Sequence, residues 1–225
     1  MPDREGGEVI WKFGTSGICG VLIAAGVANS EESAAVIRVR LWNYAEVPPR
    51  TLADAKRHTS AILERARVRV EWAECRLREG DGPKDSACLL PVTPLDLQMR
   101  ILDRRMAKRA RSTRGCLGYA LLTDGFDSVA SVFFQRAVDL ESGDLISQSS
   151  VLGAMMAHEI GHLLLDQGHH PDAGILRASW SKEDLRAIAR SQLHFTDAEG
   201  QLMRSMVAQR ERSVSETTTS LATNK

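Results

Sequence analysis

The stretch from Leu145 to Leu165 constrains this chain more than any other segment. It runs for about six helical turns without a proline, carries few charges and is apolar on nearly every face. A helix that is hydrophobic all round has to lie inside a domain, so the rest of the fold is expected to be built around it. Asp144 is available as its N-cap and Gly168 as its stop. An ionisable side chain on such a helix needs a partner or a task, because burying an unpaired charge is costly. His158, Glu159 and His162 are ionisable and sit on it.

The 225 residues suffice for one domain of ordinary size. With 43% apolar and 26% charged residues, a packed core is expected rather than disorder. Basic and acidic residues balance at 29 each, which removes the electrostatic footprint of a general nucleic-acid binder. Phe13 to Ala28 (FGTSGICGVLIAAGVA) is uncharged and ends in small residues, the pattern of a secretory signal peptide cleaved after Ala28. The segment before it mixes Arg4 and Lys12 with Asp3, Glu5 and Glu8, which is not the usual positive start, so an uncleaved anchor or a buried helix stays open. The expected organisation is a signal peptide over residues 1–28, one domain over 29–212 and a disordered tail over 213–225. The protein is then secreted or periplasmic, with no membrane span once the signal is removed. In an oxidising compartment Cys75 and Cys88 are the natural disulfide pair, closing a turn-rich loop and leaving Cys116 over.

Periodicity supplies the other elements. Ala35 to Trp42 (AVIRVRLW) and Val68 to Ala73 (VRVEWA) alternate apolar and polar side chains as half-buried strands do. Between them Thr51 to Arg67 carries Leu52, Ala55, Ile62, Leu63 and Ala66 at helical spacing. A right-handed crossover then makes the two strands parallel neighbours. Further strands are expected over Leu95–Leu102, Gly118–Leu122 and Ser131–Val138. The basic run Arg104–Arg114 reads as a solvated connector or short helix, with no aromatic residues interleaved to favour an anion patch. A last helical stretch opens at the capping-box start Ser181-Lys-Glu-Asp and runs to about Arg212.

The chemistry is concentrated at His158-Glu159-Ile160-Gly161-His162. Residues four apart on a helix share a face, about 6 Å apart along the axis, so both imidazoles can bind one zinc ion. Glu159 points to the side of that pair, where it can reach a water without being a ligand itself. The alternative is two core histidines bonded to backbone beside an ion-paired glutamate. A catalytic zinc uses three protein ligands and one open position. Past the helix, His169-His170-Pro171 supplies two candidates for the third, with Glu183 or Asp184 as the fallback. His58 and His194 stand alone and read as ordinary core or surface residues.

On these residues the sequence resembles the metzincin group of zincin metallopeptidases. The strict extended motif places a glycine where Leu165 stands and a third histidine where Gly168 stands. The stretch HEIGHLLLDQGHHPDAGILRASW is more similar to a group of secreted bacterial metzincin-like proteins with a longer loop. That resemblance implies His170 as third ligand and Leu176 in the place of the family's methionine turn. It implies an α/β (α+β) fold: a mixed five-stranded twisted sheet with one antiparallel edge strand (Gly118–Leu122), a backing helix, a buried active-site helix and a small C-terminal helical part. The implied function is a secreted zinc metalloendopeptidase with one catalytic Zn2+ on His158, His162 and His170, Glu159 as general base and a peptide or protein as substrate. The alternative is a zinc-bearing binding domain without activity.

Overall fold

The computed structural model describes residues 35–75, 77, 85–110, 116–123, 128–141 and 145–223. The expected signal peptide, and Asp144 as N-cap, lie outside the described residues. Five strands form one sheet: β1 (Ala35–Asn43), β2 (Val68–Glu74), β3 (Asp96–Leu102), β4 (Gly118–Leu121) and β5 (Val129–Phe133). Their order is β2-β1-β3-β5-β4; β4 is antiparallel to β5 and every other pairing is parallel. The strand–helix–strand unit and the antiparallel edge strand stand as expected.

The alternation in β1 sorts its side chains between two environments. Ile37, Val39 and Leu41 are buried in the core. On the other face Arg40 is only 3% exposed, yet every part of its guanidinium is used: Nε donates to Asp96 Oδ1 (2.9 Å), and its two amino nitrogens donate to the Leu90 and Pro91 carbonyls (2.9 Å each). Arg40 thereby holds the segment after Cys88 against the sheet. That segment is anchored at its start by the Cys75–Cys88 disulfide, with the Cα atoms 5.6 Å apart. In the chain-entropy view, closing a loop of this length contributes about 3 kcal/mol. Cys116 is half-buried and outside the disulfide.

Helix α1 (Pro49–Arg65) begins with Pro49 in its first turn, where a missing N–H costs nothing. It packs along α4 (Gln148–Leu165), and the two backbones come close at Gly153. A Cβ there would fall 2.6 Å from the His58 Cβ and 2.7 Å from the Ala55 carbonyl oxygen. Thr59 spans the crossing, its hydroxyl lying 2.9 Å from the Ala55 carbonyl and 3.0 Å from that of Gly153. Helix α4 is buried from Ser150 to Leu165, as the apolar pattern requires. Its N-cap is Ser147, whose hydroxyl accepts from the Ser150 N–H (3.2 Å). It stops at Asp166, in a left-handed conformation (φ 50°), two residues before the expected Gly168.

Three further expectations are corrected. The strand expected over Ser131–Val138 ends at Phe133, and Phe134–Leu140 is a helix, α3. The basic run forms a short helix, α2 (Arg104–Arg109), one of the two forms expected of it. The single helix expected from Ser181 is two: α5 (Lys182–Ala189), opened by a reciprocal Ser181–Asp184 capping box, and α6 (Asp197–Thr223). Ser191 (φ 55°) turns the chain between them. Residues 213–223, set aside as a disordered tail, continue α6 as helix. No helix among the described residues is long and apolar enough to cross a membrane.

Candidate metal centre

His158 and His162 lie one turn apart on α4 and are 5% and 3% exposed. Each ring is fixed from behind by a backbone carbonyl. The His158 Nδ1 lies 2.8 Å from the Ile175 carbonyl oxygen, and the His162 Nδ1 lies 2.8 Å from that of Gln167. A carbonyl oxygen only accepts, so each Nδ1 carries the proton and donates it. In the neutral ring, each Nε2 then presents a bare lone pair. Those two Nε2 atoms are 3.0 Å apart. Two acceptors at hydrogen-bond distance repel unless a proton or a cation lies between them. Protonation is disfavoured: burial lowers His158 to about 4, outweighing the Ile175 carbonyl, with His162 and His170 lowering it further. Burial also lowers His162, against the Gln167 carbonyl and with help from His170.

His170 completes the group from the exposed loop after α4. Its ring centre is 5.4 Å from that of His158 and 4.8 Å from that of His162. One ligand nitrogen from each of the three rings lies within 4.8 Å of the others. Two nitrogens on a tetrahedral zinc stand about 3.3 Å apart, given bonds of 2.0–2.1 Å. His158 and His162, neutral and tautomer-fixed with facing lone pairs, are the donors such an ion takes, and His170 brings a third imidazole nitrogen within reach. The three residues fit it. His169 is exposed and outside the group, and Asp184, the fallback ligand, is bound to Arg177 (3.0 and 3.1 Å) and to the Ser181 backbone N–H (2.8 Å). Glu183 is exposed and takes a hydrogen bond from Arg186 (2.9 Å). Leu176 is fully buried.

Glu159 is 3% exposed, and its Oε2 has no hydrogen-bond partner. Burial pushes its carboxyl up to about 8, so without a cation nearby it holds a proton at neutral pH. Its Oε1 lies against the start of β4, 2.7 Å from where a Cβ on Gly118 would stand. A cavity of about 570 Å3 opens near the C-terminal end of α4, between Leu122, Leu163, Asp166 and Arg210, but none of the three histidines lines it.

Sequence reasoning placed all four of these side chains on the elements that carry them. It missed the carbonyls of Ile175 and Gln167, because backbone acceptors leave no mark in a sequence. It also missed Trp180, whose indole stands edge-on to His158 with centres 6.1 Å apart. The role of Gly118 was legible only as a strand start.

No protein-family model matches the chain, and no curated protein matches it in sequence. Solved structures do. The chain is similar to archaemetzincin from Methanopyrus kandleri, at 17% identity and a TM-score of 0.47, over 77% of this chain and 97% of that one. It is also similar to a zinc-dependent peptidase from Methanocorpusculum labreanum, at 16% identity and a TM-score of 0.42, over 74% and 99%. Both are likenesses of fold at low identity.

Proposed function

We propose that the protein is a zinc metalloendopeptidase of metzincin-like type, with one zinc ion held by His158, His162 and His170. The observation that carries this reading is the pair of Nε2 lone pairs facing each other at 3.0 Å while both Nδ1 protons are committed to carbonyls. When bound, the ion supplies Lewis acidity, polarising a carbonyl and making a water a better nucleophile near pH 7.

The chain's own residues do the rest. Ile175 and Gln167 hold the two helical imidazoles in the ligating tautomer. Glu159 adjoins His158, and its unpartnered oxygen can accept a proton and hand it to a leaving amine. That task needs the ionised form, which a divalent cation in its vicinity favours against the effect of burial. Strand β4 lies at the end of the sheet order and, among the described residues, pairs with β5 alone, so its other edge can take an extended peptide by backbone hydrogen bonds. A peptide laid along that edge would extend to both sides of the cleaved bond, hence the endopeptidase reading. The Cys75–Cys88 disulfide accords with export through the signal peptide to a secreted or periplasmic site.

The test is a quenched-peptide library, run with zinc-loaded protein, with chelator, and with chelator followed by zinc. Cleavage that is lost to chelator and restored by zinc is expected. A zinc-loaded protein that cleaves nothing in the library overturns the peptidase reading and leaves a metal-bearing binding domain.

A further inference from the structure

The Ile175 carbonyl oxygen accepts two hydrogen bonds: one from His158 Nδ1–H (2.8 Å) and one from Trp180 Nε1–H (3.2 Å). Ile175 is fully buried, and its own N–H donates to the His194 carbonyl (2.9 Å), so the peptide groups on both sides of the residue are held. Trp180 is pinned in turn. It precedes Ser181, the N-cap of α5, and the Asp184 of that capping box is tied back to Arg177 across the same turn. Its ring stands nearly perpendicular to the His158 imidazole, at 78°.

A carbonyl with a single donor can swing about that bond. One with both lone pairs engaged is fixed in direction, and so is the imidazole that points at it. From this geometry we propose that Trp180 is a positioning residue for His158. It holds the Ile175 carbonyl, and through it the rotation of the ring that presents Nε2 to the metal. The proposal rests on the zinc reading above. It adds a residue outside the four already discussed, acting on metal affinity rather than on the reaction.

The experiment compares wild type with two variants. Trp180→Phe keeps an aromatic ring but loses the donor. In the second, benzothienylalanine at position 180 keeps the shape of the indole and replaces only its N–H by sulfur. Zinc affinity is read by competition with a chromophoric chelator, the ligand field by the visible absorption of the cobalt(II) form, and folding by the Tm of the metal-free protein. Both variants are expected to bind zinc about tenfold more weakly, within the usual range for an outer hydrogen-bond partner of a ligand. Their cobalt spectra should be altered while the metal-free Tm stays put. Wild-type affinity and spectrum in the benzothienyl variant would overturn the proposal even if Trp180→Phe failed to fold. A wild-type protein that binds no zinc would overturn the underlying metal reading, and this inference with it.

Discussion

A methyl group on Gly118 would stand 2.7 Å from Oε1 of Glu159 and 2.4 Å from the Ser131 carbonyl oxygen. The first of these atoms is the proposed base and the second is backbone, so the strand edge and the buried carboxylate meet where only a hydrogen fits. Gly118→Ala is expected to cost about 1–3 kcal/mol in stability, as overpacking does. It should also lower kcat/KM by more than tenfold by displacing Glu159. Zinc content should be unchanged, since no ligand is touched. Normal kcat/KM in the folded variant would show that the base tolerates the shift.

Glu159→Gln tests the proton carrier itself. The amide matches the carboxyl in shape but cannot take the proton. Activity should fall by a factor of about 100 to 10,000, the usual contribution of a positioned acid–base group, with zinc still bound at one per chain. Retained hydrolysis would remove Glu159 from the role.

The third ligand separates two adjacent residues. His170 brings a ligand nitrogen within 4.8 Å of those of His158 and His162, and His169 does not. His170→Ala should therefore lose zinc at concentrations where His169→Ala keeps it. The reverse pattern, measured by metal content after dialysis, would exchange their roles.

Glu159 also predicts how the metal-free protein responds to pH. Its carboxyl is raised from 4.5 to about 8 in the folded state, so the unfolded chain binds fewer protons between those values. Stability from this group is complete below the lower value and is lost as pH rises through the higher one. His158, lowered from 6.5 to about 4, works the other way and opposes it below pH 6.5. The net effect is a loss of unfolding free energy in the metal-free protein between pH 6.5 and 8, with a slope of at most about 1.4 kcal/mol per pH unit, read as a falling Tm. Glu159→Gln should flatten that slope; a slope unaltered in the variant would contradict it.

Much of this was legible in the sequence because the decisive patterns are local. The alternation of β1 and the apolar run of α4 each follow from one element burying one set of faces. The sequence expectation failed where two elements abut without punctuation. All five residues of β5 are buried, so no alternation marked its end, while Phe134, Ala137 and Val138 already follow helical spacing. The break before α6 did carry a signal. Thr196 and Glu199 form a reciprocal cap, the Glu199 carboxylate accepting from the Thr196 N–H (2.7 Å) and the Glu199 N–H donating to the Thr196 hydroxyl (3.3 Å). In the site, His158, Glu159 and His162 were marked by their spacing on α4, while His170 was preferred to His169 only through the resemblance. Trp180 was not marked, because its place beside His158 is set by the turn through Ile175 and by the cap of α5.

Zinc K-edge X-ray absorption on stoichiometrically loaded protein tests the metal centre most directly. One zinc per chain is expected, with three imidazole nitrogens at about 2.0–2.1 Å and one remaining light-atom ligand. Loss of one imidazole is expected on His170→Ala. A protein that retains no zinc after dialysis, or one whose zinc sees fewer than three imidazoles, would contradict the three-histidine zinc site.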